Sequence, residues 1–287
     1  MPIRPRRSVL YMPASNARAI EKARALPCDG IIFDLEDAVA PDAKPEARRQ
    51  AVEAVRGGGF GRRELIIRCN GLDTPWGEED LAAASVAGPD ALLVPKISSP
   101  ADIAAYRARV GPEATLWAMI ETPAAVMGLD ALGEASAMNG VACWVMGLND
   151  LAKAMGGRQT PDRSPHLPIL SLAVAAARAH GLAILDSVTN AIDDVALVET
   201  HCRQAADIGF DGKSLIHPSQ IEPANRLFSP AAEEVAWSRA VIAAYALPEN
   251  RAKGALQVEG RLAERLHLDQ AERMVAIAEA IEALGAE

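Results

Sequence analysis

The chain has 287 residues, half of them hydrophobic, which is enough to bury a large core in one domain or in one domain with an appendage. Its formal net charge of -9 argues against a general nucleic-acid binder, although a local basic patch can still hold an anionic ligand. No apolar run approaches the ~18 residues of a membrane span, and the N-terminus lacks the apolar segment of a signal peptide, so we expect a cytoplasmic protein with no membrane anchor.

Short apolar runs alternate along the chain with stretches of helical spacing. The predicted strands cover residues 7–13, 29–37, 65–71, 90–96, 116–120, 141–147, 182–186 and 210–216. The predicted helices between them cover residues 16–26, 45–55, 78–86, 101–110, 124–137, 168–180 and 193–207. Such alternation with short connections favours a parallel sheet, and eight units predict a closed (β/α)8 TIM barrel of the α/β class.

The barrel is expected to occupy residues 1–245, with the helix that covers the eighth strand ending near Tyr245. Residues 246–287 then form a C-terminal helical extension. Within it, residues 262–284 have helical spacing, with Leu266, Met274 and Ile281 on one apolar stripe. An apolar stripe outside a finished barrel needs a partner, and we expect that partner to be a neighbouring subunit.

The four cysteines are scattered along the chain without a CxxC pair. Because Cys69 and Cys143 fall within predicted strands, we interpret all four as reduced, small core residues and expect no zinc site.

Polar side chains are concentrated where the predicted strands end. These residues are Glu36, Asp37, Arg68, Lys96, Glu121, Asp150, Asp186, Lys213 and His217. Any one of them could serve as a helix cap or form a surface ion pair. Caps do not, however, require an arginine and a glutamate at the ends of otherwise apolar strands. In barrels of this kind the active site lies at the C-terminal ends of the strands, so the set predicts a catalytic mouth.

Glu121 and Asp150 follow two successive apolar strands, and the sequence places neither a histidine nor a cysteine beside them. Two carboxylates without softer ligands favour Mg2+ or Mn2+ over zinc. So few protein ligands leave room for water and for a chelating 2-oxo or 2-hydroxy acid. Arg68 would then neutralise charge on that ligand or on a developing enolate.

Seven characteristic segments follow one another in order along nearly the whole chain. They are Arg7-Ser-Val-Leu-Tyr-Met-Pro, Asp34-Leu-Glu-Asp-Ala-Val-Ala-Pro, Ile67-Arg-Cys-Asn, Val94-Pro-Lys, Ile120-Glu-Thr, Gly147-Leu-Asn-Asp-Leu and Phe210-Asp-Gly-Lys-Ser-Leu-Ile-His-Pro-Ser-Gln. Together they resemble the citrate lyase β-subunit / malyl-CoA lyase family, the CoA-ester branch of the HpcH/HpaI aldolases. The resemblance implies a TIM barrel, a Mg2+-dependent site and a CoA thioester substrate.

The resemblance also assigns roles to residues. It implies metal ligation by Glu121 and Asp150, substrate contacts by Arg68 and Glu121, and hydrogen bonds that Glu36 and Asp37 accept from metal-bound water. It implies that CoA phosphates bind near the first strand and helix. The basic and polar side chains there are Arg4, Arg6, Asn16, Arg18 and Lys22. We expect a homo-oligomer, either a trimer or a hexamer.

One segment departs from the family pattern. Many relatives carry Gly-Lys-Met-(Ile/Val)-Asp near the C-terminus, where the aspartate reaches a neighbouring subunit's site as the acid/base. The corresponding segment here is Gly260-Arg-Leu-Ala-Glu264. The extra methylene moves the carboxylate by about one bond length, and a ~1 Å misplacement can cost ~100-fold in rate. As a helix N-terminal charge, Glu264 could also have a purely structural role.

The leading hypothesis is a Mg2+-dependent lyase that cleaves malyl-CoA, or a similar 3-hydroxyacyl-CoA, into acetyl-CoA and glyoxylate, with Glu264 transferring the proton. The main alternative is a (3S)-malyl-CoA thioesterase on the same scaffold. Two further alternatives are the β-subunit of a multi-subunit citrate lyase and a non-catalytic, metal-dependent binding protein.

Overall fold

The computed structural model describes residues 4–285. These residues form two compact units. The barrel unit is Arg6–Phe228, and the C-terminal unit contains residues 4–5 and 229–285. The division falls earlier in the chain than the expected barrel limit at residue 245. The helix at residues 232–246, expected to cover the eighth strand, is grouped with the C-terminal unit.

The barrel unit is a closed barrel of eight parallel strands, which confirms the predicted fold class. The strands are β1 (Ser8–Pro13), β2 (Gly30–Asp34), β3 (Glu64–Arg68), β4 (Ala91–Val94), β5 (Leu116–Ile120), β6 (Val141–Met146), β7 (Ala183–Asp186) and β8 (Gly212–Leu215). They pair in chain order, and β1 pairs with β8 to close the barrel.

Ten helices connect or follow these strands. They are α1 (Ala17–Ala23), α2 (Lys44–Gly57), α3 (Gly77–Ala87), α4 (Pro100–Arg107), α5 (Pro123–Met127), α6 (Leu129–Met138), α7 (Leu148–Ala154), α8 (Leu167–Ala179), α9 (Val195–Ile208) and α10 (Ile221–Leu227). The single helix expected over residues 124–137 is two helices, because the chain leaves helical geometry at Gly128.

Alternation along the strands separates two apolar layers. Val9, Ile32, Ile66 and Trp117 belong to the cluster that fills the barrel. Their neighbours, such as Leu10, Ile31 and Phe33, belong to a larger cluster with the surrounding helices. Continuous apolar strands are therefore needed, because both faces of the sheet are covered. Apart from Lys213 in β8, the charged side chains of the strands are at strand ends.

The C-terminal unit contains α11 (Ala232–Ala246), an antiparallel hairpin of β9 (Ala255–Val258) and β10 (Arg261–Glu264), and α12 (Arg265–Gly285). The prediction of one helix over residues 262–284 was wrong at its start. Gly260, with φ of +81°, makes the turn between the two strands, and Leu262 to Glu264 pair as a strand.

The apolar stripe of α12 has a partner within this unit. The helix packs along α11, and the Ser238 hydroxyl donates a hydrogen bond to the Met274 sulfur. Leu262 and Leu266 remain exposed. Packing on a neighbouring subunit stays a prediction for residues 246–287.

All four cysteines are buried and form no disulfide, as predicted. Among residues 4–285, no helix is both long enough and apolar enough to cross a membrane.

Candidate active site

A cavity of about 260 Å³ opens at the C-terminal ends of the barrel strands. Four of the predicted site residues line it, namely Asp37, Arg68, Glu121 and Asp150. Glu36 does not line the cavity but is ion-paired to Arg68, with 2.8 Å between its Oε2 and the Arg68 Nη1. The parallel strands of the barrel deliver these side chains from β2, β3, β5 and β6 to one end, as the sequence predicted.

Arg68, the last residue of β3, is held by acids on the exit of β2. Its Nε and Nη2 donate to the two carboxylate oxygens of Asp34, each at 2.7 Å. Its guanidinium also lies 4.8 Å from the centre of the Tyr11 ring. Burial alone would lower the pKa of Arg68, but the charge of Asp34 keeps it well above the ordinary value. The guanidinium is therefore fixed in place and already partly neutralised before any ligand binds.

Asp34 is a site residue that was absent from the polar residues predicted at the strand ends. Its carboxylate accepts from the backbone N–H groups of Glu36, at 2.9 Å, and Ala38, at 3.1 Å, so it also shapes the turn after β2. The feature that could have identified Asp34 was the register of β2 against β3. Asp34 and Arg68 are the final residues of consecutive strands and lie directly opposite each other.

Glu36 and Asp37 form a pair of carboxyl groups with opposite tendencies. Burial raises the pKa of Glu36, although Arg68 and Lys96 act against it. Burial would also raise the pKa of Asp37, but hydrogen bonding with Glu36 and the charge of Arg68 hold it below its usual range. Neighbouring carboxyl groups whose pKa values are driven apart can retain and transfer a proton. This pair can therefore act in acid/base chemistry.

Glu121, directly after β5, is 2% exposed. Burial raises its pKa to about 7, although a hydrogen bond from the Lys96 backbone N–H and the charge of Arg68 act against the rise. That N–H reaches the Glu121 Oε1 at 2.8 Å because Lys96 adopts a left-handed conformation, with φ of +53°. The Lys96 side chain in turn pairs with Glu36. Lys96 thus bridges two of the predicted site residues.

Gly147, at the end of β6, leaves room for the Glu121 side chain. A Cβ added at Gly147 would lie 2.5 Å from both the Cβ and the Oε2 of Glu121, which no side chain can tolerate. From the sequence, this glycine is only the last residue of the predicted strand over residues 141–147. The close approach could not be predicted because it depends on the pairing of β5 with β6.

The two proposed ligands suit a hard cation that takes most of its coordination shell from solvent or substrate. Glu121 is a buried carboxylate in need of compensating charge, and the Asp150 carboxylate has no hydrogen bond or ion pair with residues 4–285. Within residues 4–285, no group of three or more histidine, cysteine, aspartate or glutamate side chains is arranged to hold a metal. Two carboxylates facing one cavity leave coordination positions open, as Mg2+ sites commonly do.

Several other predicted residues do not line the cavity. Asn16 caps α1, its side chain accepting from the Ala19 N–H at 3.0 Å, and Arg18 and Lys22 are exposed on that helix. Their role towards CoA stays a prediction. Arg6 was wrongly placed in this group. It pairs with Glu64, the first residue of β3, and so lies at the opposite end of the barrel. Arg4 is in the C-terminal unit.

Asp186 and Lys213 were also expected at the mouth, but both side chains are fully buried behind its wall. Asp186 follows Leu185, which faces the interior, so the alternation of the strand turns Asp186 outward. Its carboxylate holds Lys213 and Arg163, each at 2.7 Å. His217 is half-buried, and its Nδ1 is hydrogen-bonded to the Ser219 hydroxyl.

Glu264 is the last residue of β10 and is exposed. Its backbone N–H donates to the Nδ1 of His267 at 2.9 Å, and its carboxylate has no hydrogen bond or ion pair with residues 4–285. The carboxylate is therefore free to act elsewhere.

Comparison with known proteins gives consistent results. The model of the family described as HpcH/HpaI aldolase/citrate lyase matches residues 7–218. A (3S)-malyl-CoA thioesterase of Cereibacter sphaeroides is 46% identical over 282 residues, which are 98% of each chain. An L-malyl-CoA/beta-methylmalyl-CoA lyase of the same organism is 32% identical, covering 98% of this chain and 97% of its own. The structure of CitE from Mycobacterium tuberculosis in complex with magnesium, acetoacetate and coenzyme A is 29% identical, with a TM-score of 0.74, over 96% of this chain and 98% of that chain.

Proposed function

The chain belongs to the HpcH/HpaI aldolase/citrate lyase family, and on that premise we propose that it is a Mg2+-dependent thioesterase that hydrolyses (3S)-malyl-CoA to malate and CoA. The observation that carries the proposal is the 46% identity to a (3S)-malyl-CoA thioesterase over 98% of both chains. The lyase that we expected first is the second candidate. It is favoured by the more distant likeness, at 32% identity, to a malyl-CoA lyase.

Glu121 and Asp150 hold Mg2+ in this proposal. When bound, the ion acts as a Lewis acid towards an oxygen of the hydroxy-acid part of the substrate. The support is chemical and comes from two carboxylates lining one cavity, one of them buried with its pKa raised to about 7. The magnesium in the M. tuberculosis protein agrees with this choice of ion.

The other site residues stabilise negative charge and transfer protons. Arg68, held rigidly by Asp34, stabilises the negative charge that develops on the thioester oxygen as water attacks. The Glu36–Asp37 pair receives the proton that the water loses, because Asp37 is kept ionised and lines the cavity. The carbon–sulfur bond then breaks, and the proton held by the Glu36–Asp37 pair passes to the sulfur, so that CoA leaves as a thiol.

Product analysis tests the proposed reaction. With (3S)-malyl-CoA and Mg2+ we expect malate and CoA in equal amounts, with neither glyoxylate nor acetyl-CoA as a main product. EDTA should lower the rate at least ~100-fold, and excess Mg2+ should restore it, because the loss of a Lewis acid removes several kcal/mol of stabilisation. Stoichiometric glyoxylate and acetyl-CoA would establish the lyase instead. A rate that EDTA leaves unchanged would contradict the metal.

Arg68→Lys should lower kcat/KM by about 100-fold, because lysine keeps the charge but cannot reproduce the two-point contact with Asp34 that positions it. Steady-state kinetics on malyl-CoA would measure this change. The matched control is Arg6→Lys. Arg6 makes the same two-point contact with Glu64, at 2.7 and 2.8 Å, but at the opposite end of the barrel.

Both of these variants should lose stability to a similar degree, about 1–3 kcal/mol, since each loses a two-point, charge-assisted contact. Only Arg68→Lys should lose activity. Equal kinetic effects in the two variants would mean that Arg68 matters for folding alone.

A further inference from the structure

A second cavity, of about 180 Å³, lies beside the substrate cavity. It is formed between the segment that joins α7 to α8 and the segment that joins β7 to α9. Among the described residues, Val188 is the one that lines both cavities. Next to this boundary, Gly147 lines the substrate cavity and Leu148 lines the second one. The half-buried Val188 therefore lies at the boundary between the two spaces, and we call it the partition.

Hydrogen bonds form a rigid support for the backbone next to this partition. Lys213 donates to the backbone oxygen of Ser187, next to Val188, and to Asp186. The Ser187 hydroxyl accepts from the Leu148 N–H at 3.0 Å, which ties β7 to the start of α7. The contacts that form this support are made by residues other than Val188, and the Asp186 and Lys213 side chains among them are fully buried. The support therefore does not depend on the Val188 side chain. Shortening that side chain should open a passage rather than let the wall collapse.

The second cavity presents a largely apolar surface, because most of its polar groups are already hydrogen-bonded within the protein. Arg163 donates to Asp186, to the Gln204 side chain and to the His201 backbone oxygen. The His201 ring pairs with the Thr189 hydroxyl and the Pro161 backbone oxygen, both at 2.8 Å. What remains for a ligand is provided by Leu148, Pro161, Val188, Ala191 and Leu197, with His166 beside them. Such a space suits an aliphatic chain.

We propose that Val188 determines the size of the acyl group that the enzyme accepts, by closing off the second cavity as an alkyl subsite. The inference rests on the proposed function for the identity of the substrate. In malyl-CoA, the methylene carbon lies between the thioester carbonyl and the carbon that carries the hydroxyl and the carboxylate. An alkyl substituent on that carbon leaves all three groups free for the substrate cavity. A volume of 180 Å³ is several times the ~30 Å³ share of a water molecule, so a short alkyl chain fits.

The test compares malyl-CoA with its analogues that carry methyl, ethyl or propyl on the methylene carbon. In Val188→Ala, kcat/KM for the propyl analogue relative to malyl-CoA should rise at least about tenfold over the parent ratio, in line with the value of a methylene group in a pocket. Val188→Ile should lower the same ratio. Leu197→Ala is the matched control, since it enlarges the second cavity without touching the partition, and it should leave the ratio at the parent value.

A binding measurement separates this inference from the proposed function. The dissociation constants of malate and of the corresponding alkyl malates, measured by calorimetry with Mg2+, should show the same change in ratio for Val188→Ala. If malyl-CoA is not turned over, the proposed function fails, while the binding ratio still decides the role of Val188. An unchanged ratio in Val188→Ala, an equal gain in Leu197→Ala, or no binding of any of these acids overturns the inference. Chemical denaturation of each variant confirms that it is folded.

Discussion

Glu121→Gln should lower kcat/KM on malyl-CoA at least ~1000-fold, the largest effect of any single substitution that we expect. The substitution keeps the shape of the side chain and the acceptor for the Lys96 N–H, but it removes the buried negative charge that faces the cavity. If that charge holds Mg2+, losing it removes several kcal/mol of transition-state stabilisation, and each 1.36 kcal/mol is about tenfold in rate. Calorimetry should show weaker Mg2+ binding in the same variant.

Stability distinguishes this effect from misfolding. Burial raises the pKa of Glu121 to about 7, above its ordinary value of 4.5, so the ionised side chain disfavours the folded state once the pH exceeds the unfolded value. With EDTA at pH 8, Glu121→Gln should therefore be at least as stable as the parent, by up to about 3 kcal/mol. A variant that is both inactive and clearly less stable would contradict this account.

Glu64→Gln is the matched control for the change from carboxylate to amide. Glu64 is also buried, but it pairs with Arg6 at the other end of the barrel. The variant should lose stability, because Arg6 is left without its ionic partner, and it should retain its Mg2+ affinity and its kcat. Loss of Mg2+ affinity in Glu64→Gln would show that the assay reports general damage.

The fold could be predicted from sequence because the apolar runs and the helical spacing agree along the barrel. A parallel strand covered on both faces must be apolar throughout, so a charge at its end stands out. That contrast identified Arg68 and Glu121, and both line the cavity. The same contrast failed for Asp186 and Lys213. Whether a strand-end residue faces the barrel or the helices depends on a shift of one residue, which the apolar pattern of a doubly buried strand does not reveal.

Close contacts between secondary-structure elements could not be predicted from the sequence either. Asp34 belonged to an obvious group of three acids, but only the register of β2 against β3 shows that it, rather than Glu36 or Asp37, makes the two-point contact with Arg68. The hairpin before α12 was missed for a different reason. Leu262 has helical spacing with later apolar residues, yet the left-handed turn at Gly260 commits the segment to pairing with β9.

The C-terminal segment matters because it carries a carboxylate that the structure leaves without a partner. Glu264 is exposed at the end of β10, while the substrate cavity lies in the other unit. We propose that Glu264 completes the site of a neighbouring subunit of a homo-oligomer. Glu264→Ala should then lower kcat at least ~100-fold, as the loss of a positioned acid or base does, and leave Mg2+ affinity unchanged.

Mixed oligomers decide whether the contribution comes from another chain. Co-expression of Glu121→Gln with Glu264→Ala should restore activity well above that of either variant, because about a quarter of the sites formed at random combine an intact Glu121 with an intact Glu264. Co-expression of Glu121→Gln with Asp150→Asn should restore nothing, since these two residues line the same cavity of one chain. Activity that stays at the level of the single variants in the first mixture would place the action of Glu264 within its own subunit, or leave it with no catalytic role.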